Sequence, residues 1–191
     1  MMYQRIGLFG GSFNPIHCGH INLARNILNK VKLDQIWFVV SPHNPLKSDS
    51  TLLPDHLRLE LVKTALQSET NMIACDYEFT LPKPSYTWNT LQQLSQDYPD
   101  KIFTLLIGED NWNCFPKWYC YEQILNNYDI IIYPRDNSLT ISEKLPENVK
   151  LINTDLLDVS STQIRNCVKN NLSIDGLVPE CIKQKVLTLY K

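Results

Sequence analysis

The chain has 191 residues, enough to bury a core of its own, a formal net charge of −2, and apolar and charged fractions of 43% and 20% that are ordinary for a globular protein. That balance disfavours broad electrostatic binding to nucleic acid or an anionic membrane surface, and no apolar run is long enough to span a bilayer. The six cysteines show no Cys-x-x-Cys spacing, and the N-terminus carries none of the regions of a secretory signal, so a cytoplasmic protein with free thiols is expected.

In chain order, an apolar run at 6–9 predicts a buried strand, and the Gly- and Pro-containing segment after it predicts a tight loop. From Cys18 the chain turns helical, with Ile21, Leu23, Ala24, Ile27, Leu28 and Val31 spaced for one apolar face and a helix-like stretch over 22–31. Strand-like runs recur at 36–40, 72–75, 102–107, 130–133 and 150–153, and amphipathic stretches at 55–67, 87–96 and 119–125. Pro54 and Pro179 mark helix starts, and the part from Ser161 onward reads as two or three short helices closing over one end of the sheet. Such alternation predicts parallel strands with crossover helices, and nearly continuous apolar strands predict a sheet covered on both faces. The expected architecture is α/β, doubly wound and mainly parallel, in one domain over 1–191 with a small helical part at about 161–191.

His17 and His20 sit where the first strand hands over to the first helix. That place offers unpaired backbone N–H groups and the positive end of a helix dipole, which suits phosphate. Neither the Walker lysine pattern nor the Gly-x-Gly-x-x-Gly fingerprint is present, and no third ligand is spaced to turn the two histidines into a metal site. In an open α/β sheet, ligands bind outside the carboxyl ends of the strands. That rule gathers His17 and His20 with Lys47, the turn at 108–112, Arg135 and the segment 160–165 around one crevice. Ser160 or Ser161 is expected to cap a helix, and Arg165 can hold phosphate in a bidentate fork. Asp55 is expected to cap its helix, His43 and His56 to lie at the surface, and Trp37, Trp88 and Trp112 to belong to the core or its rim. Cys18, at a helix start, is expected to have a lowered thiol pKa and to be sensitive to oxidation.

The run Gly11-Ser12-Phe13-Asn14-Pro15-Ile16-His17-Cys18-Gly19-His20 resembles the signature of the nucleotidyltransferase superfamily that carries a His-x-Gly-His motif. Near the C-terminus, Val159-Ser160-Ser161-Thr162-Gln163-Ile164-Arg165 resembles that superfamily's Ile-Ser-Ser-Thr-x-x-Arg motif. Between them, Pro84-Ser85-Tyr86-Thr87-Trp88-Asn89-Thr90-Leu91 resembles the Ser-Tyr-Thr-x-x-Thr-Leu segment of the bacterial nicotinate-nucleotide adenylyltransferases. Ile107-Gly108-Glu109-Asp110 resembles their Gly-x-Asp turn, and the segment 115–124 resembles the one that supplies the aromatic wall of their pyridine pocket. Asn14 departs from the Asp of many bacterial members, and Pro42-His43-Asn44-Pro45-Leu46-Lys47 follows their Lys-ended loop only loosely.

The resemblance implies a Rossmann-like fold and adenylyl transfer from ATP to nicotinate mononucleotide, giving nicotinate adenine dinucleotide and pyrophosphate in NAD biosynthesis. The attack is direct, without a covalent intermediate, and Mg²⁺ is held by the phosphates with no protein side chain as metal ligand. His17, His20 and Arg165 are implied as the catalytic set. Gly11, Ser12, Phe13, Gly19, Gly108, Asp110, Ser160, Ser161 and Thr162 are implied on the ATP side. Asn14, Lys47, Ser85, Tyr86, Thr87, Trp118, Tyr119 and Arg135 are implied on the mononucleotide side. Small molecules are then the partners, with no nucleic acid or membrane, and homo-oligomerisation is left open. The alternatives are another acceptor, nicotinamide mononucleotide or phosphopantetheine, and a non-catalytic nucleotide sensor.

Overall fold

A computed structural model describes residues 3–42, 52–134, 144–153 and 157–191. Six strands pair in parallel: β1 (Gln4–Gly11), β2 (Gln35–Val40), β3 (Met72–Cys75), β4 (Lys101–Gly108), β5 (Asp129–Tyr133) and β6 (Val149–Leu151), in the order β3-β2-β1-β4-β5-β6. All six expected strand runs form, each within three residues of its expected bounds.

The helices are α1 (Cys18–Lys30), α2 (Asp55–Ala65), α3 (Thr87–Asp97), α4 (Glu109–Cys114), α5 (Tyr121–Asn127), α6 (Ser161–Lys169) and α7 (Glu180–Leu189). Pro54 and Pro179 stand immediately before α2 and α7, as their ring geometry favours. Side chains alternate across the strands, so two cores form. Phe9, Ile36, Phe38, Val40, Leu106 and Ile131 meet α1, α2, α6 and α7 on one face. Ile6, Leu8, Trp37, Val39, Leu105 and Ile130 meet α3 and α5 on the other. Both faces are therefore covered, which is why the strands read as continuous apolar runs. Gly7 is required by the first core, since a Cβ there would lie 2.9 Å from Leu33 Cδ1.

The turn expected as a loop at 108–112 is instead the start of α4, with Gly108 as its N-terminal cap. At six residues α4 is too short to show a helical period, and this explains the difference. The strand order reverses direction of growth between β1 and β4, so the crevice of this doubly wound fold opens where their C-terminal ends diverge.

Candidate active site

The loop after β1 is shaped by its aromatic and imidazole rings. Phe13 adopts a left-handed backbone conformation (φ 45°), worth about 1–3 kcal/mol of strain for a residue with a side chain. Packing holds it there: its ring lies 5.5 Å from Phe38, 5.7 Å from Phe9 and 5.1 Å from His20, centroid to centroid. Gly11 makes room, since a Cβ there would sit 2.9 Å from the Phe13 ring. His17 is buried and occupies the cap position of α1. Its backbone N–H donates to His20 Nδ1 at 3.2 Å, and the two rings lie 3.6 Å apart. With Nδ1 accepting, the neutral His20 ring carries its proton on Nε2. Gly19 lets the His17 ring lie close, because a Cβ there would come within 3.0 Å of His17 Nδ1. The first turn of α1 carries no acidic residue to neutralise its dipole. Cys18 differs from expectation: partial burial outweighs the nearby Arg25 and a backbone hydrogen bond and pushes its thiol up, not down.

The start of α6 is seated on the same loop. Ser160 caps it in a reciprocal box, accepting from Gln163 N at 3.1 Å while Gln163 Oε1 accepts from Ser160 N at 3.3 Å. Ser161 Oγ donates to Pro15 O (2.8 Å), and Arg165 donates through Nη1 to Asn14 O (2.8 Å) and through Nη2 to Thr162 Oγ1 (3.1 Å). Two helix N-termini, from opposite ends of the chain, thus converge beside the histidine pair. Asn14 is buried, and its Oδ1 accepts from Tyr190 Oη (2.7 Å) and Leu53 N (3.2 Å), tying the loop to the C-terminus.

Ser85, Tyr86, Thr87, Trp118 and Tyr119 come together around a cavity of about 180 Å³ that Gly10, Gly11, Ser12 and Ser41 also line. Tyr86 and Tyr119 lie tilted against each other with centroids 4.8 Å apart, and Trp118 packs edge-on against Phe115 at 5.5 Å. Asp110 lies exposed in the first turn of α4, where a carboxylate favours the helix dipole. Lys47, Arg135 and His43 fall outside the described residues. His56 is exposed, as expected; Asp55 does not cap α2, because Pro54 holds the cap position and Asp55 is the first helical residue, its Oδ1 accepting from His56 N (2.9 Å). Trp37 is core, while Trp88 and Trp112 are half-buried at its edge. Among the described residues no group of three or more His, Cys, Asp or Glu side chains is placed to hold a metal ion, and no helix is long and apolar enough to cross a membrane.

Two residues central to this region have no counterpart in the sequence reading. Arg58 is fully buried, and it donates to Leu53 O (2.8 Å), Ser12 O (2.6 Å), Ser41 O (2.9 Å) and Pro42 O (3.3 Å). Its signal was a cation standing on the apolar stripe of α2, in register with Leu61, Val62 and Ala65. Glu78, in a single helical turn at Tyr77–Phe79, is 8% exposed and lines the cavity. Burial raises its carboxyl pKa, opposed by the hydroxyls of Ser41, Thr90 and Ser85. A raised value supports folding below the ordinary carboxyl range, and that support is lost as pH climbs through the raised value.

Fold and crevice together define a Rossmann-like α/β protein with an anion-ready loop beside an aromatic cavity. The Cytidylyltransferase-like family matches residues 8–167. A probable nicotinate-nucleotide adenylyltransferase from Cytophaga hutchinsonii is 43% identical over 185 residues, covering 97% of this chain and 96% of the relative. One from Flavobacterium johnsoniae is 45% identical over 178 residues, covering 92% of each. The solved Plasmodium falciparum nicotinic acid mononucleotide adenylyltransferase complexed with NaAD has a TM-score of 0.77, covers 98% of both chains and is 20% identical, a likeness of fold. The chain belongs to the cytidylyltransferase-like family and, within it, to the nicotinate-nucleotide adenylyltransferases.

Proposed function

We propose that this chain transfers the adenylyl group of MgATP to nicotinate mononucleotide. The observation that carries the proposal is the pairing, in one crevice, of two helix N-termini beside His17 and His20 with an aromatic cavity sized for a planar ring. A phosphate oxygen of the mononucleotide attacks the α-phosphorus in line. The bond from that phosphorus to the bridging oxygen breaks, and pyrophosphate leaves. Catalysis of this kind is mostly positioning and charge stabilisation. Magnesium enters with the triphosphate as part of the substrate.

In this reading His17, His20 and Arg165 hold the α- and β-phosphates, with the backbone of 11–13 and Gly19, Ser160, Ser161 and Thr162 shaping that pocket. Ser160 and Ser161 act there through the cap and the Pro15 contact, which hold the α6 N–H groups in place. Gly108 and Asp110 face the adenosine. Ser85, Tyr86, Thr87, Trp118 and Tyr119 form the ring pocket, while Asn14 positions the loop; Lys47 and Arg135 are assigned to the mononucleotide phosphate by resemblance. Trp118→Ala is expected to raise KM for the mononucleotide about ten- to a hundredfold, since a stacked base is worth about 1–3 kcal/mol, with a far smaller change for ATP. Steady-state kinetics with each substrate varied in turn tests this; equal effects on both would remove Trp118 from the ring pocket.

A further inference from the structure

The ring cavity holds a buried carboxyl that the transfer chemistry does not use. Glu78 accepts from Thr90 Oγ1 (3.0 Å) through Oε1, and its Oε2 has no hydrogen-bond partner. Ser85 Oγ and Trp118 Nε1, from the same cavity, are buried and unpartnered too. Leaving a polar atom so costs about 1–3 kcal/mol, which a ligand group would offset. Behind them, α3 begins without a side-chain cap, so its first-turn N–H groups are further donors.

The character of Oε2 decides what this set recognises. Oε1 is occupied as an acceptor, so a protonated Glu78 carries its proton on Oε2 and donates. The cavity then presents donors only, from Glu78, Ser85 and the start of α3, and these match a carboxylate. An ionised Glu78 instead presents an acceptor, which matches a carboxamide and repels a carboxylate. We propose that Glu78 determines specificity: protonated in the substrate complex, it donates from Oε2 to the carboxylate of the nicotinate ring. The proposal rests on reading this cavity as the ring pocket.

Burial favours the neutral acid, against three hydroxyls whose hydrogen bonds favour the ionised form. The hydroxyls of Ser41, after β2, of Ser85 and of Thr90, on α3, face the group. Cys75, at the end of β3, is held neutral with its thiol pushed up to about 11, and Asp76 beside it is exposed. Lys117, at the cavity rim, is exposed to solvent. Burial is the largest influence on Glu78, and it raises the carboxyl.

The test compares wild type, Glu78→Gln and Glu78→Ala with nicotinate and nicotinamide mononucleotides over a pH series that starts at about pH 7, where the substrate phosphates are already mostly ionised. In wild type, KM for the acid should climb by about tenfold per pH unit once Glu78 ionises, while KM for the amide does not. A glutamine accepts from Thr90 and donates from the other arm, so Glu78→Gln should flatten the climb and keep the preference for the acid. Glu78→Ala should lose that preference. Titration calorimetry of each mononucleotide without ATP gives the same comparison free of turnover. A climb that persists in Glu78→Gln, or an acid preference unchanged in Glu78→Ala, would overturn the proposal. Wild type that fails to use nicotinate mononucleotide at all would instead remove the ring-pocket reading.

Discussion

Replacing His20 with alanine is expected to lower kcat about a hundred- to a thousandfold while ATP binding changes little. Loss of one preorganised donor from a site where negative charge develops has that typical magnitude. Preorganisation is visible in the ring itself. Its Nδ1 is engaged by His17 N, which directs the proton to Nε2, and Phe13 and Phe9 pack against it at 5.1 and 6.0 Å. Little entropy is left to lose when phosphate arrives. The same substitution removes an acceptor at the start of α1, which is worth about 1 kcal/mol. In a chain of this size that lowers Tm by about 2–4 °C, too little to unfold the protein under assay conditions. Kinetics and thermal unfolding on one preparation separate the two effects, and near-wild-type turnover would remove His20 from the reaction.

The second large effect is on stability. Arg58→Met is expected to destabilise the protein by about 3 kcal/mol, because buried carbonyls of Ser12, Ser41, Pro42 and Leu53 lose their donor together. An opposing contribution is real: the guanidinium is fully buried without a paired carboxylate, so removing it relieves a desolvation cost, visible in its lowered pKa. Four charge-assisted contacts outweigh that relief, since each orphaned carbonyl alone costs about 1–3 kcal/mol. Arg58→Lys separates charge from geometry. An ammonium keeps the desolvation cost but cannot reach all four carbonyls in one plane, so lysine should be no better than methionine. Denaturant unfolding measures both variants; a loss below about 1 kcal/mol in Arg58→Met would contradict the account. Because Ser12 and Ser41 also line the cavity, activity should fall with stability.

The sheet was legible because strands buried on both faces are continuous apolar runs, and β3 reads off Met72–Cys75 directly. The histidine pair and the Ser160 cap were legible because each is local: the hydrogen bonds that shape them span three residues. Arg58 and Glu78 were not. Arg58 makes sense only beside Ser12, 46 residues away, and Asn14 only beside Tyr190, 176 residues away. The resemblance places Asn14 with the substrate, and the fold also engages its side chain with the C-terminal Tyr190, a hydroxyl that no local pattern announces. Glu78 sat between two aromatic residues after a short strand, a pattern shared by many surface turns. Such residues become visible once the crevice is assembled.

The most direct measurement is pyrophosphate release with MgATP, comparing nicotinate mononucleotide, nicotinamide mononucleotide and phosphopantetheine in parallel, with and without chelator. The account predicts turnover with a strong preference for the nicotinate form, abolished when magnesium is removed. ATP binding with no pyrophosphate released from any acceptor would contradict it and point to a nucleotide sensor.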